Sequence, residues 1–119
     1  MAVARPARAP SRGDVYLIEL DPTRGSEIRK TRPCVVVSPD DLNHHLRTVI
    51  VAPMTTAGHD YPFRPGCRFE GRDGRVALDQ LRTVDRERLK KRLGALSARA
   101  LTSVFAVLGE MFDFHGESG

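Results

Sequence analysis

RGDVYLIELDPTRGSEIRKTRPCVVVSP, residues 12–39, sets two apolar runs, VYLIEL and CVVV, around a polar, basic segment. Tyr16, Ile18 and Leu20 alternate with Val15, Leu17 and Glu19, the period-2 pattern of a half-buried strand, and Asp21-Pro22 ends it. Residues 34–37 read as a second strand closed by Ser38-Pro39. Between them GSEIRKTRP, residues 25–33, reads as a long charged loop, and loops of this kind inside a compact domain are usually functional or disordered. The loop ends in Arg32, immediately before Pro33, a position restricted to extended geometry. A guanidinium held in that way suits bidentate recognition of a phosphate.

Working outward, residues 40–45 fit one helical turn. The run VIVA in residues 47–54 lacks alternation and reads as a central strand buried on both faces, with Pro53 ending its regular pairing. A second polar loop, TTAGHDYPFR, fills 55–64. Phe69 and residues 76–84 supply two short strands around GRDG, with Asp73-Gly74 as the hairpin turn and a bulge near Asp79-Gln80. The charged stretch 85–91 reads as a short helical turn. Ser97 reads as an N-cap, followed by Leu101, Val104, Phe105, Leu108 and Phe112 at helical spacing and Gly116 as a stop. That stripe is the signature of a core contact. Several short strands, few helices and no βαβ alternation predict a small antiparallel barrel of mainly β structure with a C-terminal helix.

The chain has 119 residues, 40% of them apolar and 29% charged, as expected for one domain with a modest core. The Ala/Pro/Arg-rich residues 1–11 predict a disordered arm without the apolar region of a secretory signal, residues 12–115 the domain, and 116–119 a tail. No run is long enough to span a membrane, so the cytoplasm is the expected compartment. Cys34 and Cys67 read as isolated small residues. His44 and His45 are adjacent while His59 and His115 stand apart, so no metal site and no cofactor are expected. The net charge of +4 is uneven: residues 64–92 hold ten Lys/Arg against five Asp/Glu, and 24–32 hold four against one. That fits a polyanion partner, and it equally fits a solvated basic surface.

Familiar motifs fall away on context. Arg12-Gly13-Asp14 spells an adhesion tripeptide at the start of a strand, and residues 25–31 lack the second glycine and the following helix of a phosphate-binding loop. What remains are polar residues near strand ends: Glu27, Arg29, Lys30 and Arg32 in the first loop, Thr55 and Thr56 in the second, and Asp79, Gln80 and Arg82 near the expected bulge. Most have an ordinary structural alternative, such as Thr55 satisfying backbone groups at a strand end. Arg32 is the exception on chemistry alone.

The ordered set RGDV, GSE, RP(x)V(x)V, PMT and DQ(x)RT(x)D resembles the MazF/PemK (Kid) family of toxin–antitoxin endoribonucleases over nearly everything after Arg12. The resemblance implies an SH3-like barrel with a C-terminal helix and a homodimer. It also implies metal-independent cleavage of single-stranded RNA, in which the 2′-hydroxyl attacks to leave a 2′,3′-cyclic phosphate and a 5′-hydroxyl. The family's catalytic arginine falls on Arg32 and its threonine on Thr55. Glu27 and Gln80 fall at the RNA groove, where Arg29, Lys30, Thr56 and Arg82 are also expected. PemK-like members carry an arginine where Ala77 stands, so that variant of the site does not carry over. The implied partners are mRNA and a MazE-like antitoxin with an acidic disordered tail. Two other functions remain open for such a barrel. A CcdB-like gyrase-poisoning toxin would need a tryptophan near the C-terminus, which this chain lacks. A non-catalytic RNA- or antitoxin-binding module would have no need of both Arg32 and Thr55.

Overall fold

The computed structural model describes residues 8–20, 30–56 and 58–114. Seven strands run in the order β1 (Asp14–Leu20), β2 (Lys30–Val36), β3 (Thr48–Thr55), β4 (Gly66–Phe69), β5 (Arg72–Val76), β6 (Arg82–Asp85) and β7 (Leu89–Ala95). A short helix, α1 (Asp40–His45), precedes β3, and α2 (Ala98–Met111) ends the domain. All pairings are antiparallel, in the spatial order β4-β5-β3-β2-β1-β7, with β6 also on β3. The sheet curls into a half-barrel closed off by α2.

Both faces of the sheet are buried, and the alternation of side chains sorts them. Val15, Val35, Val37, Ala52, Met54, Val76 and Leu78 pack with Leu96 and Val104 against the α2 side. Ile18, Leu20, Cys34, Val36, Val49, Val51 and Val84 form a second cluster. The apolar VIVA run is therefore a two-sided central strand, as its lack of alternation requires. The β2–β3 ladder ends at the pair Cys34 and Pro53, where a missing N–H costs least. Beyond it β3 continues to Thr55 and pairs with β5.

Helix α2 starts where its cap dictates: the Ser97 hydroxyl accepts a hydrogen bond from the Ala100 amide at 3.1 Å. Leu101, Phe105 and Leu108 pack on the first cluster. Phe112, expected on the same stripe, is instead the C-cap and 69% exposed. Arg12 ties the start of β1 to the rest: its Nε donates to the Val37 carbonyl at 2.9 Å and its guanidinium lies 4.5 Å over the Phe105 ring. Asp14 accepts from the Ser11 amide and the Arg92 guanidinium, so the Arg-Gly-Asp sequence is engaged in holding the fold together. Of the expected N-terminal arm, residues 1–7 lie outside the described residues, and Pro10 is buried. Gly116 and the tail lie outside them too.

Four local expectations are corrected. The hairpin turn is Glu70-Gly71, both with positive φ, three residues before Asp73-Gly74, because Phe69 pairs with Arg72. Asp79-Gln80 is not a bulge but part of a 3₁₀ turn, Leu78–Gln80, that swings the chain from β5 to β6. The stretch 85–91 is helical only over a 3₁₀ turn, Arg86–Arg88, and then becomes β7. Strand β2 begins at Lys30, so Lys30 and Arg32 stand on a strand and not in the preceding loop.

No ladder joins β4 to β7. The Phe69 ring spans that gap and lies 3.3 Å from where a Cβ on Gly94 would sit. Gly94 also has φ +151°, a conformation L side chains rarely adopt. Gly94→Ala is expected to destabilise the fold by about 1–3 kcal/mol. Adding Phe69→Leu should restore part of that loss in thermal melts if the ring contact contributes, and none of it if backbone strain is the whole cost.

Candidate active site

The site follows from strand register. On β2, Arg32 shares its face with Cys34 and Val36, because side chains alternate. The β2–β3 ladder pairs Cys34 with Pro53 and Val36 with Val51. Beyond the last pair, Cys34 and Pro53, β2 runs back to Arg32 and β3 runs on to Thr55, so both residues stand at the same end of the ladder. On the other side of β2, Arg32 pairs with Ile18 of β1, a member of the second core cluster. Strand β6 adds Arg82, paired with Val51 and on that face as well.

Arg32 and Thr55 line one cleft of about 220 Å³ together with Thr56, Met54 and the β4–β5 hairpin residues Phe69 and Arg72. Thr55 is 9% exposed at the end of β3, and Thr56 is exposed. Gly74 of the hairpin passes close beneath: a Cβ there would come within 3.1 Å of the Thr55 carbonyl oxygen, so the smallest residue lets β5 seat the threonine. Arg32 Nε is buried and has no hydrogen-bond partner among the described residues. Leaving such a donor unmet costs roughly 1–3 kcal/mol, and it persists where something else needs it.

Cys34 probes the field around Arg32. Burial pushes its thiol up to about 12, while the nearby Arg82 and Arg32 guanidiniums pull the other way. The thiol is neutral at ordinary pH, and both guanidiniums lie near enough to act on it. Asp79, by contrast, is committed. Arg64 grips it through two hydrogen bonds, Nε to Oδ1 at 2.8 Å and Nη2 to Oδ2 at 2.9 Å. Hydrogen bonding from Arg64 holds its carboxyl below the ordinary 3.8 against the opposing effect of burial, so it is a weak base.

The other expected residues are spread more widely. Gln80 lies on the 3₁₀ turn and accepts a long 3.5 Å hydrogen bond from Arg82. Lys30 is exposed at the start of β2, with φ 74°. Glu27 and Arg29 lie outside the described residues. Among the described residues no three His, Cys, Asp or Glu side chains converge as metal ligands would, and no helix is long and apolar enough to cross a membrane. Sequence reasoning missed the hairpin's share of the cleft, Phe69, Arg72 and Gly74, since a turn three residues out of place turns the wrong side chains inward.

A curled antiparallel half-barrel with a C-terminal helix, its cleft lined by an arginine and a threonine, defines the class: a small barrel protein. The chain belongs to the family described as PemK-like, MazF-like toxin of type II toxin-antitoxin system, which matches residues 11–112. Endoribonuclease MazF of Staphylococcus epidermidis is 36% identical over 99 residues, covering 78% of this chain and 82% of that protein. Among solved structures, MazF from Deinococcus radiodurans superposes with TM-score 0.76 at 28% identity, covering 87% of this chain and 96% of the other. A MazE-MazF structure from the same organism gives TM-score 0.74 at 27% identity over 91% of this chain and 99% of that one.

The Asp79–Arg64 pair gives a pH test. A depressed carboxyl contributes stability that is present above its unfolded value and lost as the pH falls through the folded one. Both side chains are partly exposed, which limits the contribution to about 0.2–1 kcal/mol. Asp79→Asn should therefore lower the melting temperature at neutral pH, and its deficit should close as the pH drops below the ordinary Asp value. A deficit that is the same at all pH values would show that the charge is not what stabilises the pair.

Proposed function

We propose that this chain, a MazF-type endoribonuclease of a toxin–antitoxin system, cleaves single-stranded RNA by attack of the ribose 2′-hydroxyl on the adjacent phosphate. The observation that carries this reading is that Arg32 and Thr55 line one cleft, with Arg32 Nε unmet among the described residues. The 2′-oxygen bonds to phosphorus as the bond to the 5′-oxygen breaks, leaving a 2′,3′-cyclic phosphate and a 5′-hydroxyl. The pentacoordinate transition state carries more charge on its non-bridging oxygens than the ground state does. Donors fixed at those oxygens therefore lower the barrier. Arg32 supplies paired hydrogen bonds from a planar fork and Thr55 a further neutral one.

A guanidinium offers donors and no acceptor, so Arg32 is not the base that accepts the 2′-proton. It can donate to the leaving 5′-oxygen. Asp79, held as an anion by Arg64, is poorly suited to either role. The substrate brings its own nucleophile, so the reaction needs no metal-activated water. Lys30, Thr56, Gln80 and Arg82 extend the cleft as the groove that binds RNA, and Glu27 and Arg29, outside the described residues, are assigned to RNA binding by the family resemblance alone.

The working form we propose is a homodimer held in check by a MazE-type antitoxin. The Deinococcus MazE-MazF structure supports such a partner. The basic residues of 64–92 favour an acidic disordered tail laid along the groove, at the entropic cost of ordering it.

RNA should be cut in excess EDTA, and a deoxyribose at the cut position should abolish cutting there. Cleavage of the deoxy-substituted strand at full rate would remove the internal nucleophile from the mechanism.

Arg32→Ala should lose about 100- to 1,000-fold or more in single-turnover rate while melting like the wild type, since the side chain leaves an unmet donor in the fold. Thr55→Ala should lose less, and Thr55→Ser should recover most of that loss. Wild-type turnover in a natively folded Arg32→Ala protein would reduce Arg32 to a surface charge.

A further inference from the structure

The loop between β3 and β4 carries a group of rings that neither core cluster absorbs. Tyr61 and Phe63 stack on each other, with centroids 5.0 Å apart and planes 9° from parallel. His59 meets Tyr61 edge-on at 6.0 Å, and the Arg64 guanidinium lies 5.6 Å over the Tyr61 ring. Neither Tyr61 nor Phe63 belongs to or packs against the two apolar clusters of the fold. Tyr61 keeps 41% of its surface exposed despite these neighbours. Aromatic side chains usually bury most of their area, so rings held off the core and stacked on one another need a further explanation.

The loop is anchored at the candidate site. Asp60 accepts from both Nε and Nη2 of Arg75, and Arg75 is the residue paired with Thr55 across β3 and β5. Arg64 grips Asp79, the neighbour of Gln80 on the 3₁₀ turn. Thr56, a lining residue of the cleft, begins the same loop. The loop that carries the rings is thus tied at two points, through Arg75 to the strand pair that holds Thr55 and through Asp79 to the turn that holds Gln80.

We propose that the Tyr61–Phe63 stack is a base-stacking platform for single-stranded RNA, receiving an unpaired base that flanks the scissile phosphate. The proposal rests on the nuclease reading above and adds to it the group that positions the strand. Unpaired bases offer a π-face that backbone contacts cannot use, and single-stranded RNA is commonly bound by stacking on aromatic rings beside a cationic track. Two rings already stacked on each other, in a loop tied by Asp60–Arg75 and Arg64–Asp79, have less freedom to give up on binding than separate side chains would. It fixes the flanking base, and through it the phosphate presented to Arg32 and Thr55. Tyr61 acts as a positioning residue.

The experiment uses the full chain and a short RNA spanning a cut mapped with the wild-type protein. The ribose at the cut is replaced by deoxyribose, and 2-aminopurine is placed in turn at each flanking position. Its fluorescence should fall sharply at one position when wild-type protein binds. Tyr61→Leu, which keeps apolar bulk without a π-face, should lose that quench and weaken affinity by about 5- to 100-fold, the usual contribution of one base–aromatic stack. Tyr61→Phe should restore both. A natively melting Tyr61→Leu protein with full quench and full affinity would overturn the platform while leaving the nuclease reading intact. Failure of the wild-type chain to cut any RNA would strike the nuclease reading first and the platform with it.

Discussion

Strand β3 is the member of the sheet on which the rest depends, because it pairs with β2 on one side and with β5 and β6 on the other. A slip of one residue in its pairing with β2 would turn every side chain of one strand to the opposite face. Such a slip would drive Val49 and Val51 out of their cluster and separate Arg32 from Thr55. The burial of apolar residues on both faces therefore enforces the register, and the register assembles the cleft. Stability and the candidate chemistry draw on the same constraint.

The electrostatics around the cleft divide by how each ionisable group is satisfied. Asp79 and Asp60 already have arginine partners, and Cys34 is too deeply buried to ionise. Arg32 differs, having a buried Nε without a partner among the described residues. A buried donor left unmet is unfavourable for folding, and this one belongs to a residue that lines the cleft. This is the trade-off expected where a fold keeps a polar group for a purpose other than its own stability.

The strands that sit at the centre of the sheet were legible because burial leaves a plain record in sequence. The alternation in β1, the solid apolar run of β3 and the Ser97-capped stripe of α2 all correspond to observed elements. Strand β7 was not legible. Its ladder with β1 has two register shifts, which break the period-2 pattern. Leu89 and Leu93, four apart, then imitate a helix, while Lys90, Lys91 and Arg92 give the exposed edge the charge that discourages pairing with other chains. The β4–β5 turn was misplaced because Asp-Gly is a common turn pair. The chain uses Glu70-Gly71, where Phe69 can reach the Gly94 gap.

By itself the sequence determined the antiparallel barrel with its C-terminal helix, the family, and Arg32 and Thr55 as the pair to examine. Those conclusions need only local patterns: periodicity, caps, prolines and motif order. The tertiary structure alone decided that residues far apart in the chain line one cleft, that Asp79 is tied to Arg64, and that Tyr61 and Phe63 stack in a loop tied through Asp60 to Arg75, the partner of Thr55. These depend on register, turn position and side-chain partners across strands. Each is fixed by long-range packing and leaves no periodic trace in the order of residues.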